Sequence, residues 1–314
     1  MVGGVFSGAD IGMSSGAVAG PAGLRHQPSR GLLYMASAVF CLTVLDAGVK
    51  WLTDDYSPFQ IAFLRYAIGL LFAVAIASQA GGVGTLKTMR LGGHALRSVF
   101  NIGTMLTFYY ALAMLPLADT MAITYAGPLF MTLLSVLLLK EKVGPRRWGA
   151  VFIGFVGVLV ILQPSGAGFN AAAVLALSSA FLYALTLITS RQLSATESSH
   201  TILFYYSVGV LIVTGATMPW LWITPSWDDL WIFLLVGVSG SVGQFCLNQA
   251  FRYSEVSLLA PIDYTGLVWA TLFGWALWSQ LPSITVISGS LIVVASTLYI
   301  VNRERKKHAQ KGAT

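Results

Sequence analysis

Residues 260–274 read APIDYTGLVWATLFG. The run is apolar enough for a lipid bilayer, yet it carries one bare acid, Asp263. A carboxylate in hydrocarbon is unfavourable by about 2.5–3.5 kcal/mol on insertion scales, so such acids are rare and face protein or water. Gly266, Ala270 and Gly274 recur every four residues, the small-residue stripe that lets membrane helices approach closely. Asp263 stands three residues before Gly266, which puts it on or beside that stripe. The expectation is an acid turned into a helix bundle and away from lipid.

The surrounding chain agrees with that environment. Of its 314 residues, 56% are hydrophobic and 10% charged, against about a quarter charged in a soluble domain. This is the composition of an all-α, polytopic membrane protein. The net charge of +6 sits in loops and tails, so no nucleic-acid partner is expected. Cys41 and Cys246 lie within apolar runs, form no metal or disulfide spacing, and read as packing residues. Residues 1–31 are rich in Gly, Ala and Ser and read as a flexible tail. They lack the basic stretch and the 7–15-residue apolar core of a cleaved signal. Residues 303–314 form a basic tail.

Windows of about 20 apolar residues give ten expected transmembrane helices: 32–52, 57–78, 94–115, 117–139, 148–163, 171–191, 200–219, 230–251, 256–278 and 284–302. Asp54-Asp55, Pro116, Pro164-Ser165-Gly166, Pro225-Ser226 and Pro282-Ser283 mark turns between them. With the N-terminus in the cytoplasm, the inside segments hold Arg25, Arg30, Lys87, Arg90, Arg97, Lys140, Lys142, Arg146, Arg147, Arg191, Arg252 and the basic tail. The outside segments hold Asp54, Asp55, Asp119, Asp228 and Asp229. The positive-inside rule therefore predicts both termini cytoplasmic and an even number of spans.

A repeat appears at a shift of about 140 residues. Ile123-Thr124-Tyr125-Ala126-Gly127 lines up with Ile262-Asp263-Tyr264-Thr265-Gly266, and Tyr66-Ala67-Ile68-Gly69 with Tyr206-Ser207-Val208-Gly209. Five spans per repeat is an odd number, so the halves must cross the membrane in opposite directions. Inverted repeats are typical of secondary transporters, whose substrate site lies near the midplane where the halves meet.

Thr124-Tyr125-Ala126-Gly127-Pro128-Leu129-Phe130, Leu139-Lys140-Glu141-Lys142 and Trp148-Gly149-Ala150-Val151-Phe152-Ile153-Gly154 resemble the first half of an EamA-type transporter of the drug/metabolite transporter superfamily, and residues 260–300 the second half. The resemblance covers nearly all of 32–302. It implies two inverted five-helix repeats, 32–163 and 171–302, arranged as a basket around a central cavity. It also implies alternating-access movement of small metabolites, often outward. Amino-acid exporters and carriers for riboflavin and S-adenosylmethionine belong to that family. One departure is that the acid the family often places after its ninth helix is Gln280 here, whereas Glu141 is kept in the first half.

Candidate site residues follow from charge and depth. Asp46 and Lys50 share a face of the first helix, and Arg65 lies roughly 12 Å along the second. One reading is an anion-binding patch gated by an Arg65–Asp46 pair; the other is a structural ion pair with Lys50 snorkelling to the surface. Asp263 is a candidate proton carrier or a counter-charge to a substrate amine. Asn101, Tyr109, Tyr110, Tyr125, Tyr183, Tyr205, Tyr206, Gln244, Asn248, Gln249, Tyr264 and Trp269 supply polar and aromatic groups at similar depths. Such walls suit a flat or cationic substrate, although each ring by itself reads equally as packing or interfacial belt. Trp220, Trp222, Trp227 and Trp231 read as belt, and Pro128 and Pro261 as helix bends.

Other classes fit poorly. There is no nucleotide-binding loop and no soluble stretch long enough to hold one, so no ATP-driven pump is expected. Gly237-Val238-Ser239-Gly240 looks like a protease string, but the later histidine is His308 in the tail. No enzyme activity, cofactor or metal is expected. The remaining competitor is a channel. The expected function is a proton-linked or facilitative carrier in an inner membrane, monomeric or homodimeric, exporting aromatic or neutral amino acids. A carrier bringing in a riboflavin-like or nucleoside-type cofactor is the alternative.

Overall fold

The computed structural model describes residues 27–79, 88, 90–139, 144–163, 171–193, 196–197, 199–254 and 256–311. Residues 1–26, Lys87, Lys140, Glu141, Lys142 and the Pro164-Ser165-Gly166 turn lie outside the described residues. Among the described residues the chain is all-helical: α1 Pro28–Leu52, α2 Pro58–Gln79, α3 Leu91–Met114, α4 Leu117–Thr124, α5 Gly127–Leu139, α6 Pro145–Leu162, α7 Ala171–Leu193, α8 Ser199–Leu221, α9 Trp227–Tyr253, α10 Val256–Asp263, α11 Thr265–Trp278 and α12 Ile284–Lys311. Among the described residues, seven helical runs are long and apolar enough to cross a membrane: α1, α4 with α5, α6, α7, α8, α9 and α12. The other three expected spans are covered by α2, α3 and the α10–α11 pair. Residues 303–311 of the basic tail continue α12.

An apolar solvent leaves the backbone to satisfy itself, and helices do so within one segment. The hydroxyls inside these helices are satisfied the same way. Thr43, Thr104, Thr214 and Thr297 donate to the carbonyl four residues back, at 2.7–2.9 Å. At the start of α9, Ser226 caps the helix by accepting from Asp229 N–H at 3.1 Å.

Two runs are broken, at matching points of the repeat. Pro128 sits in the first turn of α5, where its ring would meet the carbonyl of Thr124 in a continuous helix, so α4 ends at Thr124. In the second half Pro261 lies inside α10, which ends at Asp263. The expected bends are therefore short interruptions of the helix, and each falls at the tyrosine that the halves share, Tyr125 and Tyr264.

The pairing of helices follows the repeat. Helix α1 packs on α9 and α3 on α7, so the first helix of each half lies on the third of the other. The α2–α8 and α6–α12 pairs each join equivalent helices. Because lipid tails are as apolar as leucine, close approach must come from small residues. Gly237 is pressed on Ile68, Gly240 on Leu45 and Gly243 on Leu42, which accounts for the Gly-Ser run without a catalytic serine. A Cβ on Gly243 would also lie 3.3 Å from that of Cys41, so Cys41 sits in the α1–α9 packing. Gly266, Ala270 and Gly274 are buried, as the stripe predicts.

The α6–α12 seam is close-packed at its glycines. A methyl added at Gly289 would sit 2.5 Å from Ile161 Cγ1 and 2.7 Å from the Gly157 carbonyl oxygen. Backbone cannot retreat as a side chain can, so Gly289→Ala is expected to lower stability by about 1–3 kcal/mol. A Tm in detergent unchanged from the parent protein would contradict the seam.

Candidate functional site: an interior acid among tyrosines

The two breaks meet. Tyr125 Oη donates to the backbone carbonyl of Asp263 at 3.0 Å, one of the carbonyls released where α10 stops. The Tyr125 and Tyr264 rings lie 5.0 Å apart at 59°. A Cβ on Gly266 would come within 2.7 Å of the Tyr125 hydroxyl, so glycine makes room for this contact.

The Asp263 side chain accepts no hydrogen bond and forms no ion pair among the described residues. It is exposed, yet its charge acts on Tyr125, on Tyr264 and on Tyr183 of α7. The acid is therefore exposed at the α10–α11 break, beside the Tyr125 and Tyr264 rings, one from each half. Tyr183 is itself 46% exposed, and its ring packs against Gly127, where a Cβ would lie 3.4 Å away. Beside it, α5 and α7 border an apolar space of about 430 Å³ lined by Phe130, Val174, Leu177, Ser178, Phe181 and Leu182. That space holds no charged group.

Arg65 occupies a second interior position. Its Nη1 donates to Tyr109 Oη at 2.6 Å, and its guanidinium lies 5.0 Å from the Tyr66 ring centre. Tyr66 and Tyr206 share a hydroxyl–hydroxyl bond of 2.6 Å, with Arg97 stacked over Tyr206 at 4.9 Å. Asp46 feels the charge of Arg65 but forms no ion pair with it, so the expected Arg65–Asp46 pair gives way to arginine–tyrosine contacts. Nor are Arg65 and Asp263 paired.

Lys50 corrects the snorkelling expectation. It is buried, and its ammonium donates to the carbonyls of Leu112 at 2.8 Å and Leu115 at 2.7 Å. These are carbonyls at the end of α3, where a helix lacks its own donors and carries partial negative charge. Lysine thus caps α3 from α1, with the Trp278 ring 5.5 Å below it.

The remaining expected site residues divide by environment. Tyr110 is 40% exposed on α3, and Asn101 is half-buried on the same helix. Asn248 is exposed and accepts from Gln244 of its own helix at 3.3 Å. Trp269 packs edge-on to Phe40 at 5.0 Å, in an α1–α11 aromatic seam. Tyr205 stacks on His94 at 4.8 Å, near the start of α3 rather than beside Asp263. Trp220 and Trp227 are 82% and 89% exposed, as belt residues would be. Sequence reasoning missed His94, which is buried and 3.9 Å from Glu197. A histidine inside an apolar window was the available signal.

Comparison with known proteins follows the geometry. The profile of the EamA-like transporter family matches twice, at residues 29–163 and 170–302. The S-adenosylmethionine uptake transporter of Rickettsia prowazekii is 27% identical, over 90% of this chain and 95% of that one. The riboflavin transporter of Vibrio cholerae is 28% identical, over 90% and 97%. A pseudopaline exporter of Pseudomonas aeruginosa is 31% identical, over 84% and 94%. A solved crystal structure superposes with a TM-score of 0.60 at 19% identity, covering 86% of this chain and 95% of that chain, which shows a shared fold. The duplicated match, the paired helix breaks and the seven apolar runs lead to one conclusion: the chain belongs to the EamA-like transporter family and is a multi-pass inner-membrane protein.

Proposed function

We propose that the chain is a secondary carrier, neither an enzyme nor a channel, that moves a small organic cation or zwitterion by alternating access. The free Asp263 carboxylate on a tyrosine wall carries this reading. A carboxylate without a protein partner in a low-dielectric interior has a large unmet interaction, and a substrate ammonium meets it. In this reading all ten helical runs span the membrane as two inverted repeats, 32–163 and 171–302. Both termini are then cytoplasmic, and a flexible tail and a basic tail flank the repeats. The basic residues near one set of helix ends support that orientation.

The first substrate class is aromatic or neutral amino acids, moving outward. Asp263 faces the amine, Arg65 is available to the carboxylate, and Tyr125, Tyr183 and Tyr264 flank the side chain. Asp46, Asn101, Tyr110, Asn248 and Trp269 complete the candidate set, while Tyr205, stacked on His94, lies apart from it. The second class is a heteroaromatic cofactor moving inward, supported by relatives that carry S-adenosylmethionine and riboflavin. Uncharged riboflavin gives Asp263 no counter-charge, so within this class a cationic cofactor fits better.

Purified protein in liposomes decides between them. Counterflow of labelled phenylalanine or tryptophan, saturable and outcompeted by unlabelled compound, is the expected result. Exchange of S-adenosylmethionine or riboflavin instead would favour the second class, and exchange of none would refute both. Flux that rises linearly with concentration, without counterflow, would indicate a channel.

A further inference from the structure

Two polar clasps join the repeats at opposite ends of the bundle. At one end Tyr56 Oη donates to Asp229 Oδ2 at 2.8 Å and accepts from Ser226 N–H at 3.0 Å. Beside it the Gln60 carboxamide makes both bonds with the Ile223 backbone, 2.6 Å to the carbonyl and 2.9 Å from the N–H. At the other end Thr88 Oγ1 donates to Glu197 Oε1 at 2.7 Å, and Arg90 Nη1 donates to Thr196 Oγ1 at 3.2 Å. His94 Nε2 stands 3.9 Å from Glu197 Oε2.

These clasps are related by the repeat. The shift of about 140 residues carries Tyr56 onto Thr196, and Thr88 and Arg90 onto Asp228 and Leu230. Each clasp therefore joins the connection after the first helix of one half to the connection before the third helix of the other. The halves exchange roles between the two ends. The Tyr66–Tyr206 bond behaves differently, because the same shift of 140 carries it onto itself.

Symmetry then separates the contacts. Both clasps are formed in this structure, so each must open in turn: when two inverted halves exchange conformations, a contact that maps onto itself is unchanged, whereas contacts that map onto each other open at opposite stages. We infer that the clasps are the two gates of the carrier, Gln60 holding the outer and Glu197 the inner, and that the Tyr66–Tyr206 bond is the pivot between them. The inference rests on the alternating-access reading. Glu197 is a positioning residue: it acts by joining α7–α8 to the start of α3 and touches no substrate.

The test reads the side of opening without any substrate. In a Cys41→Ser, Cys246→Ser background, Tyr183→Cys reports access to the cavity by a membrane-impermeant maleimide. The reagent is applied to right-side-out and to inside-out vesicles. Glu197→Ala is expected to raise cytoplasmic labelling several-fold relative to outer labelling. Gln60→Ala is expected to shift the ratio in the opposite direction, and Tyr66→Phe to leave it within about twofold. Glu197→Gln, which keeps an acceptor for Thr88, is expected to shift less than Glu197→Ala. Gel filtration confirms that each variant is folded before labelling. An unchanged ratio in Glu197→Ala and Gln60→Ala, or shifts in the same direction for both, would overturn the gate assignment. The expected ratios together with no amino-acid counterflow by the parent protein, which keeps Tyr183, would refute the substrate reading alone. Labelling from one face only in every variant would refute alternating access itself.

Discussion

Asp263→Asn is expected to reduce transport of a zwitterionic or cationic substrate by at least about 30-fold in kcat/KM, with the protein still folded. Asparagine keeps the shape and leaves the backbone contact with Tyr125 untouched, because Tyr125 bonds the carbonyl of residue 263 and not its side chain. What is lost is the charge. A charge-assisted contact in a water-poor site is worth roughly 2–5 kcal/mol when one partner is removed, which corresponds to roughly 30- to 5,000-fold in kcat/KM. Asp263→Glu is expected to retain part of the activity, since the charge survives at a displaced position. If Asp263 also carries the transported proton, the asparagine variant loses the dependence of flux on a pH gradient as well. Normal counterflow by Asp263→Asn, at parental KM and with parental pH dependence, would make the acid a bystander.

The second large effect concerns stability. Lys50→Met keeps the aliphatic stem and removes the donors, leaving the carbonyls of Leu112 and Leu115 without their ammonium. Each buried acceptor left unmet is unfavourable by about 1–3 kcal/mol, and the capping charge at the end of α3 disappears too. A loss of roughly 2–5 kcal/mol is expected, read as a fall in Tm in detergent and as poorer yield from the membrane. Lys50→Arg is expected to recover part of it, because a guanidinium also donates to carbonyls. A Lys50→Met protein as stable as the parent would show that water or lipid headgroups serve those carbonyls instead.

These two residues also mark how far the sequence could be read. Asp263 was legible as an anomaly, one charge in an apolar run. That no group among the described residues meets its carboxylate emerges only when α4, α7 and α10 are brought together. Lys50 was legible as a charge near a helix end, but its partners are backbone carbonyls 62 and 65 residues away. Backbone acceptors leave no trace in side-chain pattern, so periodicity pointed to the surface while the fold turned the ammonium inward. Arg65 failed differently. The sequence offers Asp46 as its partner because both are charges inside apolar spans, whereas Tyr109 and Tyr66 hold it. The repeat was the most informative signal: aligned Tyr66 and Tyr206 became a contact, and aligned Tyr125 and Tyr264 became the two break points. The internal repeat constrains three-dimensional pairing because inverted halves bring equivalent helices face to face, as α2 with α8 and α6 with α12.

The meeting of Tyr125 with Gly266 limits how this chain can vary. Any side chain at 266 would push into the space of the Tyr125 hydroxyl and displace its hydrogen bond to the Asp263 carbonyl. A shorter residue at 125 would open the space but leave that carbonyl bare. Change at either position is tolerated only with a matching change at the other, so the pair drifts together or stays fixed. Homologues that carry a bulkier residue at 266 should therefore lack tyrosine at 125, and must satisfy the broken helix by another donor.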